Sequence, residues 1–205
     1  MRTVKIVTCL LLLVPILAGG CVGKGTVKPT RMYILHAMEP LEQAVSPVIA
    51  QDAVVGVGRL ELAGYLKRPH IITRVDGNEI HLADFARWAE PLEDGVPKVL
   101  AENLSILLGT DKVLTAPWKS FVNVDYHVHL NVIQFDAHPD GDAVLAVRWS
   151  VTEGSVKESP FFMKISTYRK PLSGSSYNAV VTAENSLLED LSRDVAAEIA
   201  RMTAR

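Results

Sequence analysis

The stretch VNVDYHVHLNV, Val122 to Val132, decides the fold. Val122, Val124, Tyr126, Val128, Leu130 and Val132 alternate without a break with Asn123, Asp125, His127, His129 and Asn131. Side chains of a strand point to opposite faces in turn, so this is a strand covered on one face and wet on the other. HPDGD, His138 to Asp142, is a turn, and Ala143, Leu145, Val147, Trp149 and Val151 repeat the alternation on the way back. EGS at 153–155 turns the chain again into VKESPFFMKISTY, residues 156–168. Proximity and two tight turns predict an antiparallel meander of three long strands.

A sheet with one apolar face needs a cover, and the flanking sequence supplies two helices. From Gly174 to Ala200 the pattern is helical: Tyr177, Val180, Val181, Leu187, Leu188, Leu191, Val195 and Ile199 form one stripe. Glu184, Glu189, Asp190, Arg193 and Glu198 are expected mostly off it. Leu92 to Leu108 is a second helix, with Val96, Val99, Leu100, Leu104, Leu107 and Leu108 on its core face. Pro97 is expected in its first turn and Gly109 at its C-cap. Before that helix lie a short strand, RMYIL at 31–35, then a loop, HAMEPLEQAVSP at 36–47. The apolar run VVGVGRLELAGYL follows at 54–66, where Gly56 and Gly58 allow a bulge or a close neighbour. Ile71 to Val75 and Glu79 to Leu82 read as a hairpin around DGN. The expected fold class is α/β: a single domain with a mainly antiparallel or mixed sheet packed against two long helices.

At 205 residues the chain is long enough for one well-cored domain. Its formal net charge is -2, and 48% of it is hydrophobic. A mildly acidic chain without a basic stripe is a poor footprint for a phosphate backbone, so no nucleic-acid partner is expected.

The N-terminus is a leader: Arg2 and Lys5 precede an apolar core from Ile6 to Ala18 containing four consecutive leucines. Thirteen helical residues rise about 20 Å, short of the roughly 30 Å hydrocarbon layer, which suits translocation better than spanning. Ala18, Gly19 and Gly20 run into Cys21, and this resembles the lipobox of bacterial lipoproteins, although Leu17 stands one step further back than the usual leucine. The resemblance implies cleavage before Cys21 and acylation there, giving a signal at 1–20, a lipidated tether at 21–30 and a folded domain at 31–205. Cys9 leaves with the leader, so Cys21 would have no intramolecular partner for a disulfide. Val22 stands where inner-membrane retention commonly places aspartate. By resemblance, that points to the inner leaflet of the outer membrane, facing the periplasm.

Catalytic patterns are missing: there is no G-x-S-x-G elbow, the thiol left after cleavage is at the lipid site, and the glycines of VVGVGRLELAG lack the third glycine and the helix of a nucleotide cradle. His127 and His129 share a strand face with Asp125, and Asp136 or His138 could lie near. Zinc needs three or four ligands in tetrahedral reach, whereas a wet face is polar by default. No metal and no cofactor are expected, and no enzymatic activity.

ARWAEPL, 86–92, leaves two readings open: Trp88 plugs the core beneath the helix, or Trp88, flanked by Arg87 and Glu90, anchors a recognition surface. Arg68 and Arg74, on either side of PHIIT, carry the same ambiguity. YLKRPHIITR at 65–74 and FARWAEPLEDGVPKVLAENLSILLG at 85–109, behind a lipobox and before a meander and a C-terminal helix, resemble the ABC-type transport auxiliary lipoproteins, the PqiC-like lipoprotein family. The matching signature is Arg68, Pro69, Arg74, Arg87, Trp88, Ala89, Glu90, Pro91, Asn103 and Leu104. The resemblance implies a lipid-anchored auxiliary in an MCE-type intermembrane lipid transport system. Its implied partners are a periplasmic MCE-domain protein and an inner-membrane transporter component. A homo-oligomeric collar around the conduit and a lipid-carrying role are further expectations.

Overall fold

The computed structural model describes residues 28–40, 49–50, 52–139, 141–154 and 161–204. The expected leader and cleavage site, Cys21, most of the expected 36–47 loop and residues 155–160 at the expected second turn lie outside them. Eight strands form one sheet: β1 Arg31–Tyr33, β2 Val55–Leu62, β3 His70–Asp76, β4 Glu79–Trp88, β5 Val113–Thr115, β6 Tyr126–Ala137, β7 Asp142–Glu153 and β8 Phe161–Pro171. Two long helices, α1 Leu92–Leu108 and α2 Tyr177–Thr203, cover it. A 3-10 turn, Gly64–Lys67, joins β2 to β3.

The meander is present as read: β6 pairs antiparallel with β7, and β7 with β8. Along β6 the alternation becomes burial, with Tyr126, Val128, Leu130 and Val132 inside. The strand begins at Tyr126, four residues later than the alternating pattern does, and runs on past a register shift between Val132 and Gln134. Beyond the shift Phe135, Asp136 and Ala137 are all buried. The other long edge of β6 is shared: β2 lies parallel along its first half, and Thr73 of β3 pairs with Ala137 at its far end. The sheet is therefore mixed. It runs from β8 through β7, β6, β3 and β4 to β1, with β2 and β5 beside the start of β6.

The glycines of β2 have the role their pattern suggested. The register with β6 shifts between Val57 and Leu60. A Cβ on Gly56 would stand 2.8 Å from the Val124 side chain and 3.0 Å from Trp118, so only glycine lets that loop close over the strand. The strand β5 escapes the sequence reading. Three residues show no period, and β5 exists because β2 offers it a parallel edge.

The first helix has the predicted bounds, and Gly109 caps it at φ 66° with its N–H on the Ser105 carbonyl. Pro97 falls in the second turn rather than the first, because Pro91, not a later residue, is the N-cap. The second helix corrects the reading of Glu184 and Glu198, which are buried at 1% and 8% exposure. At 3.6 residues per turn Glu184 falls between Val181 and Leu188 on the core-facing stripe itself, so its polarity did not put it outside. Between the layers Leu100, Leu104, Leu108, Leu187, Leu188, Leu191 and Ile199 are fully buried. Each such side chain contributes about 1.5–3 kcal/mol. Asn103, also fully buried, ties three elements. Its amide donates to Ser192 Oγ of α2 at 3.0 Å, and its carbonyl oxygen accepts the Met38 N–H at 2.8 Å. Asn185 likewise accepts the His36 N–H at 3.2 Å. The loop after β1 is thus held by two inward-facing asparagines, because its own backbone has no ladder partner there.

Candidate functional site

The hairpin β3–β4 returns much further than Leu82. It ends at Trp88, and the register slips between His70 and Ile72 so that His70 faces Arg87. The Trp88 N–H donates to the Pro69 carbonyl at 2.7 Å, and the Ala89 N–H to the Tyr33 carbonyl at 2.7 Å. The first bond draws together two segments that the sequence separates by nineteen residues, and the second adds β1 to them. Around them opens a cleft of about 360 Å³. Leu62, Leu66, Pro69 and Leu92 supply apolar wall, and Trp88, 6% exposed, lies at its base. Lys67, Arg68, Glu90 and Glu93 also line it. Glu90 is held by Lys98 of α1 in an ion pair, which raises the Lys98 pKa. Arg68 is exposed and makes no hydrogen bond or ion pair with any described residue. An apolar cleft with unpaired charge at its rim can seat a hydrophobic group and read the charge beside it.

The structure distributes the charged and aromatic signature residues over three places, while Asn103 and Leu104 lie in the interior. Arg68, Trp88 and Glu90 share the cleft. Arg87 does not: consecutive strand residues face opposite ways, so beside buried Trp88 it is exposed on the other side, in register with Met32 of β1. Arg74 belongs to a third place, a polar knot around Asp136. Its Nη2 lies 2.8 Å from Asp136 Oδ2, Tyr65 donates to the same oxygen at 2.8 Å, and Gln134 donates to Oδ1 at 2.8 Å. Asp136 is wholly buried, and the Arg74 guanidinium also lies 5.9 Å over the Tyr65 ring. Burial and then the Asp136 charge push the Tyr65 hydroxyl far above its ordinary pKa. Asp136 also acts on Glu184, whose carboxyl is raised well above the usual range, first by burial and then by that charge. Glu184 Oε2 has no hydrogen-bond partner. The knot is a satisfied structural network; its other members, Tyr65 and Gln134, could be found only through tertiary contacts.

The histidine face is built from aromatic contacts. His127 and His129 stack with centroids 6.4 Å apart, and Trp118 tilts over His127 at 5.8 Å. Desolvation and then His129 lower the His127 pKa, while Asp125 opposes. Asp125 itself accepts the Val54 N–H at 2.8 Å, which holds the start of β2. Among the described residues no three His, Cys, Asp or Glu side chains are placed to hold a metal ion, and no helix is long and apolar enough to cross a membrane.

The fold and cleft define a helix-on-sheet domain with a surface cleft built from the signature segments. The profile of the ABC-type transport auxiliary lipoprotein component family matches residues 33–196, and the chain belongs to that family. The family's description is that of an auxiliary component. No curated protein matches the chain. Among solved structures, one described as an uncharacterized protein aligns at a TM-score of 0.68 and 17% identity, over 84% of this chain and 99% of that one. A Xanthomonas campestris protein aligns at a TM-score of 0.66 and 15% identity, over 84% and 96%. These likenesses are of fold. A Paraburkholderia phytofirmans PelC, described as a dodecamer, aligns at a TM-score of 0.44 and 17% identity, over 78% and 96%.

Proposed function

We propose that the protein is an outer-membrane lipoprotein, acylated at Cys21 and facing the periplasm, that docks an MCE-type lipid conduit and so couples it to the inner-membrane transporter component. The observation that carries the docking role is the cleft. Two distant segments of the family signature meet there, with unpaired Arg68 at the rim and Trp88 at the base. Recognition sites concentrate on such aromatic and arginine anchors. A homo-oligomer would repeat that cleft around the conduit. A lipid-carrying role is less well supported: a carrier needs an apolar cavity between sheet and helices, and the leucines at that interface are fully buried against one another.

Pull-down of the MCE-domain partner by the wild-type protein and by Arg68→Ala, Trp88→Phe and Arg87→Ala tests the docking role. The two cleft variants are expected to lose capture while Arg87→Ala, on the other face, keeps it. Equal capture by all four would remove the cleft from the reading. Intact mass of the mature protein tests the anchor, and an unmodified Cys21 thiol would refute it.

A further inference from the structure

We infer that the outer face of the β1 edge, carrying Met32, Ile34 and Arg87, lies against a bilayer surface bearing anionic headgroups. The inference rests on the anchor at Cys21 proposed above, and it adds an orientation that an anchor alone does not set.

Three observations converge on this face. The first is its chemistry. Met32 is 58% exposed and Ile34 57%, large apolar side chains that a soluble surface ordinarily keeps apart. Arg87, exposed and without a polar partner among the described residues, stands in register with Met32 on the neighbouring strand. Phe85, 44% exposed, lies two residues before it on the same strand face and borders a groove at the strand edge that Lys28 and Arg31 also line, Arg31 itself standing in register with buried Ala86 and so on the sheet's other side. Asp84 is the one acidic side chain lining that groove.

The second is charge along the chain. From Cys21 to Leu35 there are three cations, Lys24, Lys28 and Arg31, and no acidic residue, in a protein whose net charge is negative. Cations beside a membrane anchor gain from anionic lipid, each by a factor of about five in partitioning.

The third is reach. Seven residues separate Cys21 from Lys28, where the described chain begins three residues before β1. Fully extended they span at most about 25 Å. The opposite edge, β8, lies five strand spacings from β1, roughly 24 Å across the sheet. The tether confines the β1 edge to within about 25 Å of the acyl chains, about the width of the sheet, and it is the exposed apolar and basic residues that turn this edge toward them. Phe161, Met163 and Ile165, exposed on β8, lie at the far edge of the sheet.

The test uses the full lipoprotein reconstituted into vesicles of phosphatidylethanolamine with phosphatidylglycerol, or with phosphatidylcholine as the zwitterionic control. With Cys9 removed and Cys21 acylated, a thiol introduced by Met32→Cys, Ile34→Cys or Ile165→Cys is the only one to label. The label is a fluorophore, read by lipid-borne quenchers. Labels at 32 and 34 are expected to be quenched severalfold more than the label at 165, and more in anionic than in zwitterionic vesicles. Arg31→Gln with Arg87→Gln should reduce that lipid preference about twenty-five-fold. Equal quenching at all three positions on protein that still floats with the vesicles would overturn the orientation and leave the anchor standing. Protein that fails to float and shows a free Cys21 thiol by mass would overturn both. Shielding of positions 32 and 34 by a periplasmic protein fraction, and not by vesicles, would assign the face to a protein partner and overturn the inference.

Discussion

Arg74 and Arg68 stand six residues apart in one signature segment, on opposite sides of the same short strand start, and they live in different physical regimes. Arg74 is spent on the interior: with Tyr65 and Gln134 it neutralises a carboxylate that water cannot reach. Arg68 is left at the rim of an apolar cleft with no partner among the described residues. One cation is committed to a buried counter-charge, and the other has no such partner among the described residues. Two residues of the same type in one motif can thus answer to different constraints, and burial of the counter-charge tells them apart.

The contrast is sharpest where the knot is broken. Arg74→Ala would leave Asp136 buried without its main counter-charge and is expected to cost about 3–5 kcal/mol in denaturant unfolding. A loss below about 1 kcal/mol would mean that water reaches Asp136. Trp88→Ala removes the base of the cleft, and because one side of that ring borders open space we expect a loss of about 3 kcal/mol, the low end for a buried aromatic. Trp88→Phe should keep most of that stability, which is why it serves in the capture experiment.

Glu184 extends the knot into a pH dependence. Its pKa in the folded protein is raised, so the folded state holds this proton to higher pH than the unfolded state does. Its contribution to stability is complete below the unfolded value near 4.5 and is lost as pH rises through the folded value. Glu184→Gln removes that loss. The melting temperature of the variant relative to wild type should therefore climb between pH 5 and pH 8, and a difference that stays flat would place Glu184 in contact with water. Arg68→Ala is the smallest effect expected on folding, within about 0.5 kcal/mol by the same denaturant titration. A larger destabilisation would move Arg68 into the structural class of Arg74.

Much of the fold was readable because its elements are long and one-sided. The alternation ending at Val132 is a strand whose even-numbered side chains meet the helices, and the α1 stripe from Val96 to Leu108 is a helix with the bounds its spacing indicates. Reading stopped where period stops. The β4 strand extends to Trp88 across a slipped register, whereas the alternation around DGN showed the hairpin return only as far as Leu82. Of the site, Arg68, Trp88 and Glu90 were singled out as residues, but their meeting in one cleft depends on the Trp88–Pro69 backbone bond, which no spacing encodes.

What the chain determined by itself is everything that depends on periodicity and local chemistry: a meander, two covering helices, the Gly109 cap, and the basic, acid-free run behind Cys21. What only the tertiary structure decided is how neighbours in sequence part company. Trp88 turns inward and Arg87 outward, Glu184 sinks while lying between two apolar turns, and Arg74 finds a carboxylate sixty-two residues away. The reason is that burial and counter-charge belong to the assembled layers, and a side chain's own polarity says only what it will cost to place it there.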